Sequence, residues 1–198
     1  MSASDKRPLV LVISGPSGVG KDTVVNRLKE SIPAAHFAIT ATTRPPRPGE
    51  REGIDYHFLS EEEYDRLLAE DGFLERASVY SFRYGVPKDE VTSAVEKGRD
   101  VIVRVDVQGA ATIKKLIPDA VLVFIAPPSA EELQRRLRDR STDDGPDLLL
   151  RIETAVAEIA QRDSFDYVIV NANGRLEEAV SGVVDIFASE KRRREAAR

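Results

Sequence analysis

Short apolar runs alternate with amphipathic segments along most of this chain. Residues 9–14 (LVLVIS) form a continuous apolar run of strand length, similar runs cover 101–106, 121–125 and 167–170, and a shorter one covers 37–41. Continuous apolar runs indicate strands that are buried on both faces, and each of the four longer runs precedes a segment with helical spacing. The alternation predicts an α/β fold in which about five parallel strands carry helices on both faces of the sheet.

Two serine–glutamate pairs have the spacing of a capping box, in which each side chain bonds to the backbone of the other residue. They are Ser60 with Glu63 and Ser129 with Glu132, and each pair predicts a helix that begins directly after its serine. Residues 88–97 also have helical spacing. We expect helices at these three places in addition to those that follow the strands.

Residues 40–98 do not share the alternation of the rest of the chain. They are rich in Arg, Glu and Tyr, and within them 42–58 (TTRPPRPGEREGIDYHF) contains three prolines and two glycines, which exclude a regular helix. We expect a loop or irregular β segment there, within a lobe inserted between the first core strand and the next. The polar, turn-forming segment 141–147 (STDDGPD) predicts a mobile lid.

The composition excludes several classes of protein. A chain of 198 residues suits one domain or a core with inserted lobes, and the absence of cysteine excludes disulfides and thiolate metal sites. The net charge of −5 argues against a broad nucleic-acid footprint, and no apolar run approaches the length of a signal peptide or a membrane span. We therefore expect a cytoplasmic protein without nucleic-acid or membrane partners. Residues 189–198 (SEKRRREAAR) predict a solvated, fraying helix end.

A glycine-rich turn follows the first predicted strand. Residues 15–23 (GPSGVGKDT) have the spacing G-x-x-x-x-G-K of a phosphate-binding loop, and Val24, Val25 and Leu28 then give one apolar face of a helix. In such a loop the glycines let successive backbone N–H groups point into one concavity at the positive end of the helix. Lys21 adds a charge that reaches the outer phosphates, so the turn predicts a polyphosphate site.

Three residues are candidates for binding a magnesium ion. The residue after the loop lysine is usually Ser or Thr, whose hydroxyl binds Mg²⁺, whereas this chain has Asp22 there and a hydroxyl only at Thr23. The sequence leaves open which of the two orders the metal. Asp106 ends a buried strand at a position where an acidic group would order the magnesium shell, and the alternative role for Asp106 is a helix N-cap.

Two groups of arginines are candidates for phosphate contacts. Arg44 and Arg47 lie in the proline-rich loop, where a guanidinium pair and nearby tyrosine hydroxyls would grip a monophosphate. The other group would converge on a transferred phosphoryl group when the lid shuts, and it comprises Arg136, Arg140 and Arg151.

Glu75 is the most informative carboxylate. It lies among apolar residues in FLERA, residues 73–77. A carboxylate in such surroundings accepts two parallel hydrogen bonds from a base edge that offers two donors. Guanine has such an edge and adenine does not, so Glu75 favours a guanine ligand.

Eight segments carry further information as an ordered set. They are GPSGVGKDT (15–23), TTRPPRPGEREGIDYHF (42–58), FLERA (73–77), RYG (83–85), VDVQGA (105–110), APPS (126–129), RRLRDRST (135–142) and VIVNA (168–172). In this order, and over nearly the whole chain, they resemble the motifs of guanylate kinases. The combination is highly specific, although no motif beyond the phosphate loop would be decisive alone.

The resemblance implies an ATP-dependent transfer to GMP, and also to dGMP, that yields GDP and ADP with magnesium as cofactor. It implies a P-loop kinase core, an inserted mixed α+β GMP-binding lobe and a mobile helical lid, in a monomer or homodimer. The expected boundaries are 7–188 for the domain, with core 7–39, 99–128 and 164–188, GMP-binding lobe 40–98 and lid 129–163, followed by a charged tail at 189–198.

Roles are carried over to the positions that match each motif. ATP would be bound by Gly15, Pro16, Ser17, Gly18, Val19, Gly20, Lys21, Asp22, Thr23 and Asn171. GMP would be bound by Thr40, Arg44, Arg47, Glu50, Tyr56, Glu75, Tyr84, Gly85 and Asp106. The catalytic residues would be Lys21, Arg44, Arg136, Arg140 and Arg151, and the metal ligands Asp22, Thr23 and Asp106.

Three positions depart from the pattern that the resemblance implies. Val86 stands where a Ser or Thr would assist base recognition, Arg76 replaces a common tryptophan, and Arg104 replaces an acidic residue. Because their charges are opposite, we expect Arg104 to pair with Asp22. Two other hypotheses are a kinase of the same fold that acts on a phosphorylated sugar and a non-catalytic guanylate-kinase-like module that binds a partner protein.

Overall fold

The structure is a computed structural model that describes residues 7–79, 81–140 and 146–196, and at positions 140, 146 and 147 it describes the backbone alone. The strands are β1 (Val10–Ser14), β2 (His36–Phe37), β3 (Ala41–Thr42), β4 (His57–Phe58), β5 (Phe73–Val79), β6 (Phe82–Pro87), β7 (Val101–Arg104), β8 (Val121–Ala126) and β9 (Tyr167–Val170). The helices are α1 (Lys21–Ser31), α2 (Glu61–Ala69), α3 (Lys88–Glu96), α4 (Val107–Leu116), α5 (Ala130–Arg140), α6 (Pro146–Ala160) and α7 (Leu176–Ala196), with a 3₁₀ turn at Arg162–Ser164.

Five parallel strands form the central sheet in the order β2-β7-β1-β8-β9. The first strand lies in the middle, where Val12 pairs with Val103 of β7 on one side and with Leu122 of β8 on the other. Each of these two neighbours follows a helix in the chain, because parallel strands must be joined by a crossover connection. The predicted α/β fold with a five-stranded parallel sheet is confirmed.

Apolar side chains cover both faces of this sheet. Successive residues of a strand point to opposite faces, so Leu11 packs with α1, α6 and α7 whereas Val12 packs with α3 and α4. This double burial explains why the strands read as continuous apolar runs rather than alternating ones.

Residues 40–98, called the acceptor lobe below after their predicted role, contain a second sheet with the order β4-β3-β6-β5. The prediction of a single strand at 37–41 is wrong, because β2 and β3 are two short strands in different sheets. Its first half bonds to the core sheet, where Ala38 donates to the carbonyl of Ile102 at 3.0 Å, while Thr40 accepts from His57 of the lobe at 3.0 Å. The chain therefore passes from one sheet to the other between Ala38 and Thr40, which its apolar pattern does not reveal.

Helix starts agree with the capping signals. The side chain of Ser60 accepts from the N–H of Glu63, and the side chain of Glu63 returns the bond, so the predicted capping box is confirmed. The hydroxyl of Ser129 accepts from the N–H of Glu132 at 3.2 Å. The strand expected at 101–106 ends earlier, at Arg104, because Asp106 already caps α4.

The end of α7 differs from the expected solvated tail. The helix continues without a break to Ala196, and Glu190 is 2 % exposed. Glu190 accepts a hydrogen bond from the Tyr167 hydroxyl at 2.6 Å, and Lys191 bonds to Asp100 at 2.8 Å. These polar contacts dock the charged segment on the core, which a run of charges does not predict.

Two further expectations concern membranes and the lid. Among the described residues, no helix combines the length and the apolar character that crossing a membrane requires. The segment 141–147, expected to be mobile, lies outside the described residues apart from the backbone of its last two positions.

Candidate active site

The phosphate loop joins β1 to α1, and close contacts require two of its glycines. A Cβ at Gly15 would lie 2.2 Å from the carbonyl oxygen of Ile125, so no side chain fits between the loop and β8. Gly20 has a φ of +95°, and a Cβ there would lie 2.7 Å from Nδ2 of Asn171. The loop is therefore pressed against the carboxyl ends of β8 and β9, where ligands bind in parallel sheets.

Lys21 begins α1 and directs its ammonium group into the loop. Its Nζ donates to the carbonyl oxygens of Gly15 at 2.5 Å and Pro16 at 3.1 Å. Burial lowers the pKa of Lys21, and the nearby carboxylate of Glu158 acts in the opposite direction. The cation is thus held at the turn that would receive the phosphates.

Glu158 of α6 also reaches the phosphate loop, and we did not identify this residue from the sequence. Its Oε2 accepts a hydrogen bond from the backbone N–H of Ser17 at 3.2 Å. Burial raises the pKa of Glu158, and Lys21 partly offsets that effect. The sequence offered one signal of its burial, because Glu158 lies on the same helix as Ala155 and Ile159, which pack on the core.

Arg136 of α5 braces the phosphate loop from the side of the helical pair α5–α6. It donates to the carbonyl oxygens of Val19 at 3.3 Å and Asn171 at 3.0 Å, and Glu132 accepts from its Nε at 2.9 Å. The side chain of Asn171 donates to the same Val19 carbonyl at 2.8 Å. Arg136 and Asn171 therefore fix the loop backbone together.

The other two arginines of this predicted group are described less fully. Arg151 is half-buried on α6, the helix that carries Glu158. The side chain of Arg140 lies outside the described residues. Their convergence with Arg136 on a phosphoryl group stays a prediction.

Asp106 caps α4, because its Oδ1 accepts from the N–H of Gly109 at 2.7 Å. The N-cap alternative is therefore confirmed, and the metal role stays a prediction. The charge of Asp106 acts to raise the pKa of both Lys21 and Glu75. It lies between the phosphate loop and the acceptor lobe.

Arg44 is only 6 % exposed and is held by the proline-rich loop itself. Its Nη2 donates to both carboxylate oxygens of Glu50, at 2.9 and 3.0 Å, and its Nη1 donates to the carbonyl of Pro45 at 2.7 Å. Glu50 also accepts from the backbone N–H of Arg47 at 2.7 Å, while the Arg47 residue is exposed. Glu50 thus fixes Arg44 and the backbone of the loop, and the binding of an anion there stays a prediction.

Tyr56 lies between two guanidinium groups. The Cζ of Arg104 is 4.4 Å from the centre of its ring and that of Arg44 is 5.4 Å away, while the ring of Tyr84 meets it edge-on at 6.2 Å. Burial raises the pKa of Tyr56, and Arg104 opposes the effect. The predicted acceptor residues Arg44, Tyr56 and Tyr84 are therefore brought together.

Glu75 is 4 % exposed, and its Oε1 has no hydrogen-bond partner among the described residues. Burial, followed by the nearby charge of Asp106, raises the pKa of Glu75 to about 8. Gly109 packs directly on the carboxyl group, because a Cβ at this glycine would lie 2.7 Å from Oε1. Gly109 is therefore a direct neighbour of the Glu75 carboxyl group that the sequence did not indicate.

The remaining base-site candidates are largely buried. Thr40 accepts from Nη2 of Arg104 at 3.4 Å, and Gly85 is buried where a Cβ would lie 2.5 Å from the ring of Phe73. Val86 is fully buried in the apolar layer on the α3–α4 face, and Arg76 is exposed. The departure at Val86 is thus accommodated by packing in the core.

The pair expected from opposite charges is present. Nη1 of Arg104 donates to Oδ1 of Asp22 at 2.5 Å. Arg104 also donates to the carbonyl of Asp55 at 3.3 Å. Asp22, which stands where the motif has a hydroxyl residue, is therefore bonded to Arg104, which stands where the family has an acidic residue.

No group of three or more His, Cys, Asp or Glu side chains in the described part of the chain is arranged to hold a metal ion. Magnesium does not need one, since it is commonly bound through one or two carboxylates with water and substrate phosphates. The carboxylate of Asp106, fixed by its capping bond, and the hydroxyl of the exposed Thr23 are oxygen donors of the kind that magnesium binds, and their roles as ligands stay predictions.

A phosphate loop at the carboxyl ends of parallel strands, next to an inserted lobe with a buried arginine and a buried carboxyl group, is typical of a P-loop nucleotide kinase. The family model described as guanylate kinase matches residues 6–190. The chain belongs to the guanylate kinase family.

Individual relatives agree with this assignment. "Guanylate kinase 2, chloroplastic/mitochondrial" of Oryza sativa subsp. japonica is 44 % identical, over 96 % of this chain and 67 % of that protein. A guanylate kinase of Clostridium perfringens is 42 % identical, over 94 % of this chain and 86 % of the relative. The crystal structure of guanylate kinase from Anaplasma phagocytophilum has a TM-score of 0.78 at 34 % identity and covers 94 % of this chain and 88 % of its own. The sugar kinase and the non-catalytic module are not favoured.

Proposed function

We propose that the protein transfers the γ-phosphoryl group of ATP to GMP and dGMP, yielding ADP and the diphosphate, in the cytoplasm. The observation that carries this proposal is the carboxyl group of Glu75, which is buried with an unpartnered Oε1 beside Asp106. A buried polar atom without a partner marks a place where a ligand group completes the hydrogen bonding. The names of the relatives support the choice of GMP.

The guanine base is recognised at Glu75. Its N1–H and its exocyclic amino group are parallel donors, which match the two oxygens of a carboxylate. Adenine offers no such pair on this edge and would leave a buried carboxyl oxygen unsatisfied. Thr40 and Asp106 flank the base, and Gly109 keeps the Glu75 carboxyl group in position.

The phosphate of GMP is held by the acceptor lobe. Arg44 is preorganised by Glu50, and Arg47, Tyr56 and Tyr84 add a guanidinium group and two hydroxyls. Because Glu50 already fixes the arginine, little conformational freedom is lost when the phosphate binds. The acceptor oxygen can then stand in line with the donor.

The donor phosphates are held by the backbone N–H groups of residues 15–23 and by Lys21, with Asn171 near the adenine. Arg136, Arg140 and Arg151 meet the phosphates from the side of the helical pair, and water is excluded when the pair closes. Magnesium, when bound, would be held by Asp106 and Thr23, with Asp22 nearby, and would supply neutralising charge to the phosphates. Positioning and electrostatics therefore supply the catalysis, with no covalent intermediate.

A coupled assay of ADP release with GMP, dGMP, IMP, AMP and ribose phosphates tests the proposal. We expect GMP to be used far more efficiently than AMP, and Lys21→Ala to abolish turnover. Glu75→Gln should lower kcat/KM for GMP by about 10- to 100-fold, since a charged hydrogen bond contributes about 1.5 to 3 kcal/mol.

The matched control is Glu62→Gln, an exposed acid of the same lobe, which should leave the rates unchanged. Equal use of GMP and AMP by the wild-type protein, or rates with a sugar phosphate within a few-fold of those with GMP, would overturn the assignment.

A further inference from the structure

Arg104 lies where the phosphate loop, the core sheet and the acceptor lobe meet. Its guanidinium group bonds to the carboxylate of Asp22 in α1, to the carbonyl of Asp55 in the lobe and to the hydroxyl of Thr40 between the two sheets. The side chain is only 14 % exposed. Because a guanidinium group is a rigid planar fork, it fixes its partners relative to one another.

The contacts continue beyond Arg104 into the proposed phosphate clamp. The guanidinium group lies over the ring of Tyr56 at 4.4 Å, and Arg44 approaches the same ring at 5.4 Å. An unbroken series of contacts therefore runs from Asp22 through Arg104 and Tyr56 to Arg44. Asp22 is next to the donor lysine, whereas Arg44 belongs to the acceptor turn.

We infer that Arg104 is a positioning residue that couples the phosphate loop to the acceptor site. The carboxylate of Asp22 orients the guanidinium group, the guanidinium group holds the ring of Tyr56, and the ring borders the clamp for the acceptor phosphate. The inference rests on the proposed function, because it takes GMP as the acceptor. Asp22 thereby serves the binding of GMP although it lies in the helix of the donor site.

Because Arg104 is largely buried, its position depends on its ion pair with Asp22. The side chain of Arg104 is 14 % exposed and that of Asp22 is 53 % exposed, so the loss of Asp22 leaves a largely buried guanidinium charge uncompensated. The guanidinium group then moves to find water or another partner. Without Asp22, Arg104 is free to leave the ring of Tyr56. Asp22 acts on the acceptor lobe chiefly through Arg104. The two substitutions should therefore have effects that overlap rather than add.

The test measures GMP binding by calorimetry in the absence of ATP and magnesium, so that the donor-site roles of Asp22 cannot contribute. Arg104→Met and Asp22→Asn should each raise the Kd for GMP by roughly fivefold or more. The double variant should bind no more than about twofold more weakly than Arg104→Met alone. Arg104→Lys should recover only part of the affinity, because an ammonium group cannot reach all the partners at once.

A steady-state experiment separates positioning from damage to the fold. At saturating GMP, kcat of Arg104→Lys should stay within about threefold of wild type while KM for GMP rises. Glu30→Gln is the matched control, since it removes an acid of the same helix that pairs with Arg27. This control should leave the Kd for GMP unchanged.

Three results would overturn the inference. They are an unchanged Kd in Asp22→Asn, fully additive effects in the double variant, and a Kd for Arg104→Lys equal to that of wild type. If Arg104→Met does not fold, the Asp22→Asn and Arg104→Lys variants still decide the question. Failure of the wild-type protein to bind GMP would instead refute the proposed function.

Discussion

A single buried carboxyl group, Glu75, links the stability of the protein to pH. Its pKa of about 8 means that the folded protein holds a proton that an unfolded chain releases near pH 4.5. The contribution of Glu75 to stability is therefore most favourable below about pH 4.5 and declines as the pH rises towards 8. In the proposed function guanine binds the carboxylate form, so its binding would require release of that proton.

Glu75→Gln should remove this pH dependence. Relative to wild type, the free energy of unfolding of the variant should increase between pH 5.5 and pH 8.5 by on the order of a few kcal/mol, because each pKa unit corresponds to ~1.4 kcal/mol. Urea denaturation at the two pH values measures the difference, and Glu62→Gln should show none. Parallel stability profiles of wild type and Glu75→Gln would contradict the prediction.

At the level of residues, the sequence indicated some features and concealed others. The burial of Glu75 followed from its apolar neighbours, and the pairing of Arg104 with Asp22 followed from two unusual charges. The contact of Gly109 with Glu75 could not be predicted, because it joins α4 to β5 across 34 positions and leaves no local pattern. Roles in binding stay predictions for all of these residues.

At the level of elements, α6 has a contact that competes with the proposed ligand. Glu158 occupies the N–H of Ser17, one of the groups that would bind the ATP phosphates. A carboxylate at this point resembles a phosphate in charge and in hydrogen-bond acceptance, so ATP and Glu158 cannot use the group together.

Glu158→Gln should therefore strengthen the binding of ATP. We expect the Kd for ATP to fall about three- to tenfold. This change is smaller than the effect of one full charged hydrogen bond, because Lys21 also loses the nearby carboxylate that raises its pKa. Calorimetry without GMP measures the change, and Glu153→Gln, an exposed acid on the same helix, serves as the control. Weaker binding in Glu158→Gln would show that the carboxylate assists ATP rather than competes with it.

Elements with a strong local signal were predicted well, and those defined by distant partners were not. The capping box at Ser60 and the apolar strands β1 and β8 depend on neighbouring residues, so their patterns sufficed. Strands β2 and β3 have two residues each, and only their separate partners distinguish them. Pairing of this kind is set by the tertiary structure rather than by local propensity.

At the scale of the whole molecule, the last turns of α7 hold the amino ends of the core strands. Lys191 bonds to Asp100, which also accepts from the backbone N–H of Leu9, and Glu190 bonds to Tyr167 at the start of β9. The helix thus connects three strands of the sheet at their amino ends, opposite the end that carries the phosphate loop.

Truncation after Ser189 should destabilise the protein by about 2 to 4 kcal/mol, because it removes the part-buried, charge-assisted bonds from Tyr167 to Glu190 and from Lys191 to Asp100. Urea denaturation measures the loss. A shorter truncation after Ala196 keeps the contacts of Glu190 and Lys191 and is expected to leave the stability unchanged. If both truncations unfold at the same urea concentration, the end of α7 contributes no stability.

The central position of β1 has a consequence for synthesis on the ribosome. Both partners of this strand come late in the chain, and β8 ends about 110 residues after β1. At bacterial or eukaryotic elongation rates, the apolar strand would wait roughly 5 to 20 seconds before it can pair on both edges. During that time both edges of β1 lack their partners, so we expect the nascent chain to pair with other chains more readily than the folded protein does.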